Sequence, residues 1–160
     1  MGGTFTTTGA TTLTGEVTAD AGFASPDLQV DTVNFTSTQI LAMHTPITLV
    51  GNAGADTIIV VESILFVVDS TGTAYADVAA GDDIIIEYET SGADIITNLE
   101  TTGFIDQTDD EIRLVQPLEV TADLLASINK DVMIKLGGAI TTGTGTMIVT
   151  VAYRVMPTGL

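Results

Sequence analysis

From residue 40 onward the sequence is a succession of short aliphatic and β-branched runs, each closed by Gly, Asp, Asn, Ser or Pro. Ile40-Leu41-Ala42-Met43, Ile47-Thr48-Leu49-Val50, residues 57–68, residues 84–89, Glu111-Ile112-Arg113-Leu114-Val115, residues 132–136 and residues 146–155 are the main ones. Runs of this length and make-up suit a pleated strand, in which successive side chains point to opposite faces. Ile84, Ile86 and Tyr88 share one face while Glu87 and Glu89 share the other, which predicts a half-exposed strand. Met147, Val149, Val151, Tyr153 and Val155 likewise oppose Thr146, Thr150 and Arg154. Residues 57–68 are apolar on both faces apart from Glu62 and Ser63. A single short helix is expected over residues 123–130, with Thr121 or Asp123 as its N-cap. About eight closely spaced strands with so little helix predict an all-β fold, an antiparallel β-sandwich or jelly-roll-like domain over residues 38–160. A parallel α/β fold would need helices between its strands.

Residues 1–37 differ. They are rich in Thr, Gly, Ala and Asp, with isolated apolar residues at Phe5, Leu13, Val17, Phe23, Leu28, Val30, Val33 and Phe35. Thr4-Phe5-Thr6, Thr12-Leu13-Thr14 and Glu16-Val17-Thr18 carry the strand alternation in very short pieces. Such pieces bury too little to offset their own ordering entropy. The region is therefore expected to be an extended N-terminal arm that donates strands to a neighbouring protomer or another surface.

Charge narrows the function classes. The chain carries 21 acidic residues against 4 basic ones, a net charge of -17, and its first 112 residues hold no Lys or Arg. No basic surface is available for phosphates or for an anionic bilayer, so neither nucleic acid nor membrane is an expected partner. The most apolar run is too short and too interrupted to span a bilayer, and residues 1–15 show no secretory signal pattern. Mean hydropathy is nevertheless +0.44. Strands buried on one face and at a subunit interface on the other would reconcile the two. The apolar content of residues 58–68 and 147–155 predicts on this ground that copies of the chain associate.

Few residues suggest chemistry. There is no cysteine, and the one histidine, His44, sits in a turn before Thr45-Pro46 with no evident base partner. Nucleophile elbows, phosphate loops and zinc-protease motifs are absent, and without Trp a sugar cleft lacks its usual platforms. The densest acidic stretch, Asp106-Gln107-Thr108-Asp109-Asp110-Glu111, has Glu where a calcium loop needs glycine. It is expected to be a solvated loop, and Asp82-Asp83 a turn. For Arg113, Lys130, Lys135 and Arg154 the expectation is a local ion pair with an Asp or Glu of a neighbouring strand. No enzymatic activity, cofactor, metal site or catalytic residue is expected.

Residues 38–50, from Thr38-Gln39-Ile40-Leu41 to Thr48-Leu49-Val50, resemble the opening of a tailed-bacteriophage structural domain. The resemblance continues through Thr57-Ile58-Ile59-Val60-Val61-Glu62-Ser63-Ile64 and Thr73-Ala74-Tyr75 to the closing strand of residues 145–155. It implies a capsid decoration (cement) protein, a jelly-roll-like subunit that trimerises on the outer face of the phage head with the major capsid protein as partner. The Thr- and Gly-rich N-terminus also resembles the intertwined segments that begin phage fibre and spike trimers, which implies a fibre or spike head as the alternative. A non-viral carbohydrate- or calcium-binding sandwich is the third reading.

Overall fold

The computed structural model describes residues 26–76, 79, 81–89, 93–117 and 124–160. The expected arm segments of residues 1–25, and the helix start at Thr121 or Asp123, lie outside the described residues. Among the described residues seven strands and one short helix follow in the order β1 (Gln29–Phe35), α1 (Ser37–Leu41), β2 (Ile47–Val50), β3 (Thr57–Asp69), β4 (Ile84–Tyr88), β5 (Glu111–Val115), β6 (Val132–Leu136) and β7 (Thr146–Pro157). They form two antiparallel sheets, one in the order β1-β7-β3-β5 and the other β2-β6-β4. The all-β sandwich is thus the observed fold. Successive strands alternate between the sheets, so every connection crosses from one layer to the other.

The long strand β3 shows how sequence sets local geometry. Ile59 and Val61 are buried, and so are Ile64, Phe66 and Val68, although a strict period of two cannot place both sets on one face. A bulge between Val61 and Ser63 absorbs the extra residue. Glu62 and Ser63, the polar interruption in an apolar run, occupy that break, where an unpaired residue is tolerated and the strand can bend. Met147, Val149, Val151 and Tyr153 of β7 meet this inner face from the adjacent strand, as their alternation predicted. From the other sheet come Ile84, Ile86, Val132, Ile134 and Leu136, all buried. Phe66 and Phe104 meet edge to face with centroids 6.1 Å apart, a favoured aromatic geometry. The Tyr88 hydroxyl donates to the Ile59 carbonyl at 2.6 Å and so ties β4 to β3 across the core.

Two expectations are corrected. Residues 40–43 were expected as a strand, but Ile40 and Leu41 end the helix α1 and Met43 lies in the turn after it. Thr36 caps the helix: its hydroxyl accepts from the Gln39 N–H, while the Gln39 side chain accepts from the Thr36 N–H at 3.0 Å. The signal was legible as Thr-x-x-Gln, a capping box. Its helical spacing points Ile40 and Met43 into the core, where both are fully buried. The helix expected over residues 123–130 is only a 3₁₀ turn, Leu125–Ser127, with Ile128 already extended.

Two further segments complete the layers. Residues 93–99 run antiparallel beside β4 through Ile84–Leu99 and Glu87–Asp94 bridges, which buries Ile95 and Ile96. The last part of the expected arm is β1, which pairs with β7 of its own chain from Gln29–Tyr153 to Phe35–Met147. Among the described residues no helix is long and apolar enough to cross a membrane.

Candidate functional site

The outward faces of the two sheets differ in chemistry. On the three-stranded sheet Ile85, Glu87, Met133 and Lys135 alternate with the buried residues, and Lys135 pairs with Glu87 at 2.7 Å. That face is half-buried and carries a charge pair. On the four-stranded sheet the outward residues fall into cross-strand rows: Thr32, Thr150, Leu65 and Leu114, then Asn34, Ile148, Val67 and Ile112. No charged side chain stands in either row. Exposure reaches 69% at Ile112, 66% at Leu114, 38% at Ile148 and 36% at Leu65. Single exposed aliphatics are ordinary, but these are neighbours in adjacent rows and make a contiguous patch.

Strand β5 decides the character of this face. Glu111-Ile112-Arg113-Leu114 could point either set of side chains inward, since alternation is satisfied both ways. The structure turns Ile112 and Leu114 outward and Arg113 inward. The Arg113 guanidinium lies 4.4 Å from the centre of the Phe104 ring, donates to the Gly103 carbonyl and stands 3.8 Å from Glu111. A planar cation can bury its stem, stack on an aromatic face and still satisfy its donors. Those contacts hold β5 in the register that exposes its aliphatic residues.

Charge sits at the ends of the face. Arg154 donates to Glu62 at 3.1 Å and also to the Pro26 carbonyl, so it tacks the lead-in to β1 against the rim. At the opposite end Asp69, Asp110 and Thr146 border a hollow whose floor includes Val67, Ile112 and Ile148. On the inner side of β1, Asp31 accepts from the Tyr153 hydroxyl at 3.1 Å. Burial, then the hydrogen bond and charge of Asp31, raise the Tyr153 phenol above its ordinary range.

The polar residues singled out by sequence are dispersed. His44 is exposed in the turn after α1. Asp106 accepts from the Gly103 N–H at 2.6 Å and from Gln107 at 2.9 Å, and Asp110 accepts from the Ser70 N–H at 3.0 Å, so both brace loops. Asp82 accepts from the Ala79 N–H at 2.9 Å within its turn. Among the described residues no three His, Cys, Asp or Glu side chains converge to hold a metal ion. Lys135 and Arg154 each pair with a carboxylate of the neighbouring strand as expected, whereas Arg113 pairs with Glu111 of its own strand. Lys130 helps to lower the pKa of its neighbour Asp131.

Asp131 is a polar anchor that sequence reasoning missed. It accepts from the Asn52 N–H at 2.8 Å, from the Asn52 side chain at 3.0 Å and from the Thr48 hydroxyl at 3.2 Å. Partial burial pushes its carboxyl up, but these donors together with Lys130 outweigh that, and the net shift is downward. The anchor fixes the loop of residues 51–56. Nothing in an isolated Lys-Asp dipeptide announces partners some eighty residues away.

The sequence matches no protein-family model and no curated protein. Among solved structures it is similar to a chain described as "Cyanophage Pam1 capsid asymmetric unit", at 15% identity over 88% of this chain and 93% of that one, with a TM-score of 0.44. A likeness at this TM-score carries no weight for fold or role.

Proposed function

We propose that the chain is a structural virion protein: a cement protein that sits as a homotrimer on the outer surface of a tailed-phage capsid and stabilises it. The alternation of strands between layers supports a jelly-roll-like topology of the kind that the sequence resemblance implies. The observation that carries the reading is the uncharged, partly aliphatic face of the four-stranded sheet on a chain of net charge -17. A protein built to remain a lone solvated particle has no use for such a face. Its action is mechanical. A subunit that binds the assembled shell and not its dissociated parts stabilises the shell by about 2.7 kcal/mol per site at a hundredfold excess over Kd.

The test is a co-sedimentation isotherm with phage heads that lack the protein, followed by heating of decorated and bare heads. Saturable binding and a higher disruption temperature for decorated heads are expected. Antibody labelling on intact virions should mark the head. Label confined to the tail would favour the fibre or spike reading, and no binding to heads would refute the cement reading.

A further inference from the structure

We propose that the outward face of the four-stranded sheet is a contact between copies of this same chain, centred on Leu65, Ile112, Leu114 and Ile148. The inference takes from the proposed function only the expectation that copies associate, and it holds whatever particle the protein belongs to.

Charge selects the occupant. A foreign partner drawn to a chain of net charge -17 would bring basic groups and meet them with carboxylates, since complementary potential is what steers and specifies such encounters. This face offers no such handle: its two central rows contain Thr, Asn, Leu, Ile and Val alone. A second copy carries the same large negative charge and is repelled from any surface dense in carboxylates. It can approach closely only where carboxylates are missing or neutralised. Both conditions hold here, because the centre is uncharged and Glu62 at one rim is paired with Arg154. Asp69 and Asp110, each accepting from a backbone N–H, lie at the other end, beyond the rows named above.

Size fits as well. β3 spans 13 residues and β7 spans 12, which makes the face roughly 40 Å long at its centre. Four strands at a spacing of about 4.8 Å make it about 19 Å wide at most. With its shorter outer strands the whole face, its charged ends included, offers about 600 Å², of the order of the ~800 Å² that each partner of a stable interface buries. Strand β5 supplies the third argument. Arg113 takes the inward position and leaves two aliphatic side chains in solvent, an arrangement that costs stability in a lone subunit and is recovered when a second copy covers them.

The experiment uses the full chain and compares three proteins by light scattering coupled to size exclusion. The wild type is expected to run at a multiple of 16.5 kDa. The variant Ile112→Lys/Leu114→Lys should fall to the single-copy mass. The charge-matched control Thr97→Lys/Asn98→Lys, exposed beside the other sheet, should keep the wild-type mass. Should the face variant fail to fold, the absence of native cysteine allows a second measurement. Leu65→Cys treated with a bismaleimide should give covalently joined copies, and Asn98→Cys should not.

A wild type that stays at the single-copy mass up to ~100 µM, where even a contact of ~10 µM Kd is mostly assembled, would overturn the inference. So would a face variant that keeps its multiple mass, or equal cross-linking from the two cysteine positions. A face variant that remains assembled but no longer binds phage heads would give the face to the shell instead. Association through this face without any binding to heads would keep the inference and sink the cement reading. A dimer would keep the inference and refute the trimer.

Discussion

The inverted strand β5 makes a stability prediction opposite to what hydropathy suggests. In the observed register Ile112 is 69% exposed, so Ile112→Ser removes little buried surface and should change stability by no more than about 0.5 kcal/mol. Arg113→Ala removes a cation stacked 4.4 Å from the Phe104 ring and a charged donor to the Gly103 carbonyl. A partly desolvated cation–π contact contributes about 1 kcal/mol and a charge-assisted hydrogen bond about 1.5 kcal/mol, which together give about 2–3 kcal/mol. Urea denaturation should therefore show the midpoint falling by roughly 1 M for Arg113→Ala and barely moving for Ile112→Ser. The measurement belongs at concentrations low enough that the midpoint no longer depends on concentration, so that association does not enter. A slip of β5 by one residue would reverse the faces and bury Ile112 and Leu114. Truncating Ile112 would then cost on the order of 2–5 kcal/mol and Arg113→Ala almost nothing. That reversed order of midpoints would refute both the register and the surface built on it.

Gly143→Ala should be disruptive, because Gly143 has φ of +147° and an added Cβ would lie 2.1 Å from the Tyr75 ring. Tyr75 is buried and its hydroxyl donates to the Gly145 carbonyl at 2.7 Å, so displacing it should lower the stability read in a thermal melt by about 2 kcal/mol or more. The depressed pKa of Asp131 makes its contribution complete above the ordinary value of 3.8 and lost as pH falls through the lower folded value. Asp131→Asn should therefore lower stability at neutral pH and flatten the loss of stability between the two values, as followed by urea midpoints across the acid range. His44→Ala, Asp109→Asn and Asp110→Asn should each leave stability within about 0.5 kcal/mol and leave association unchanged, since His44 and Asp109 are exposed and Asn can still accept from the Ser70 N–H. Loss of association in either Asp variant, restored to the wild type by calcium after chelation, would reveal a cation site.

Much of the fold follows from local pattern alone. The two-residue period of β4 and β7 names their buried faces, because each strand has one wholly apolar set and one set broken by polar or charged residues, and only the first can enter a core. Glu62-Ser63 in β3 marks the bulge for the same reason: a polar pair inside an apolar run is tolerated where pairing breaks. The capping box at Thr36 also stood in the sequence, masked by an aliphatic run that suits a strand as well as a helix. Tertiary structure alone decided three things. Phe35 and its strand pair with β7, more than a hundred residues away, so residues expected to be donated to a neighbour close the chain's own sheet. Residues 93–99, without a strand-like pattern, become the lateral partner of β4 because the backbone donors and acceptors at the edge of that strand must be satisfied. The inward turn of Arg113 depends on Phe104 and Gly103 standing beneath β5. An alternating strand is symmetric with respect to its two faces, so the exposed aliphatic face became visible only once packing had chosen between them.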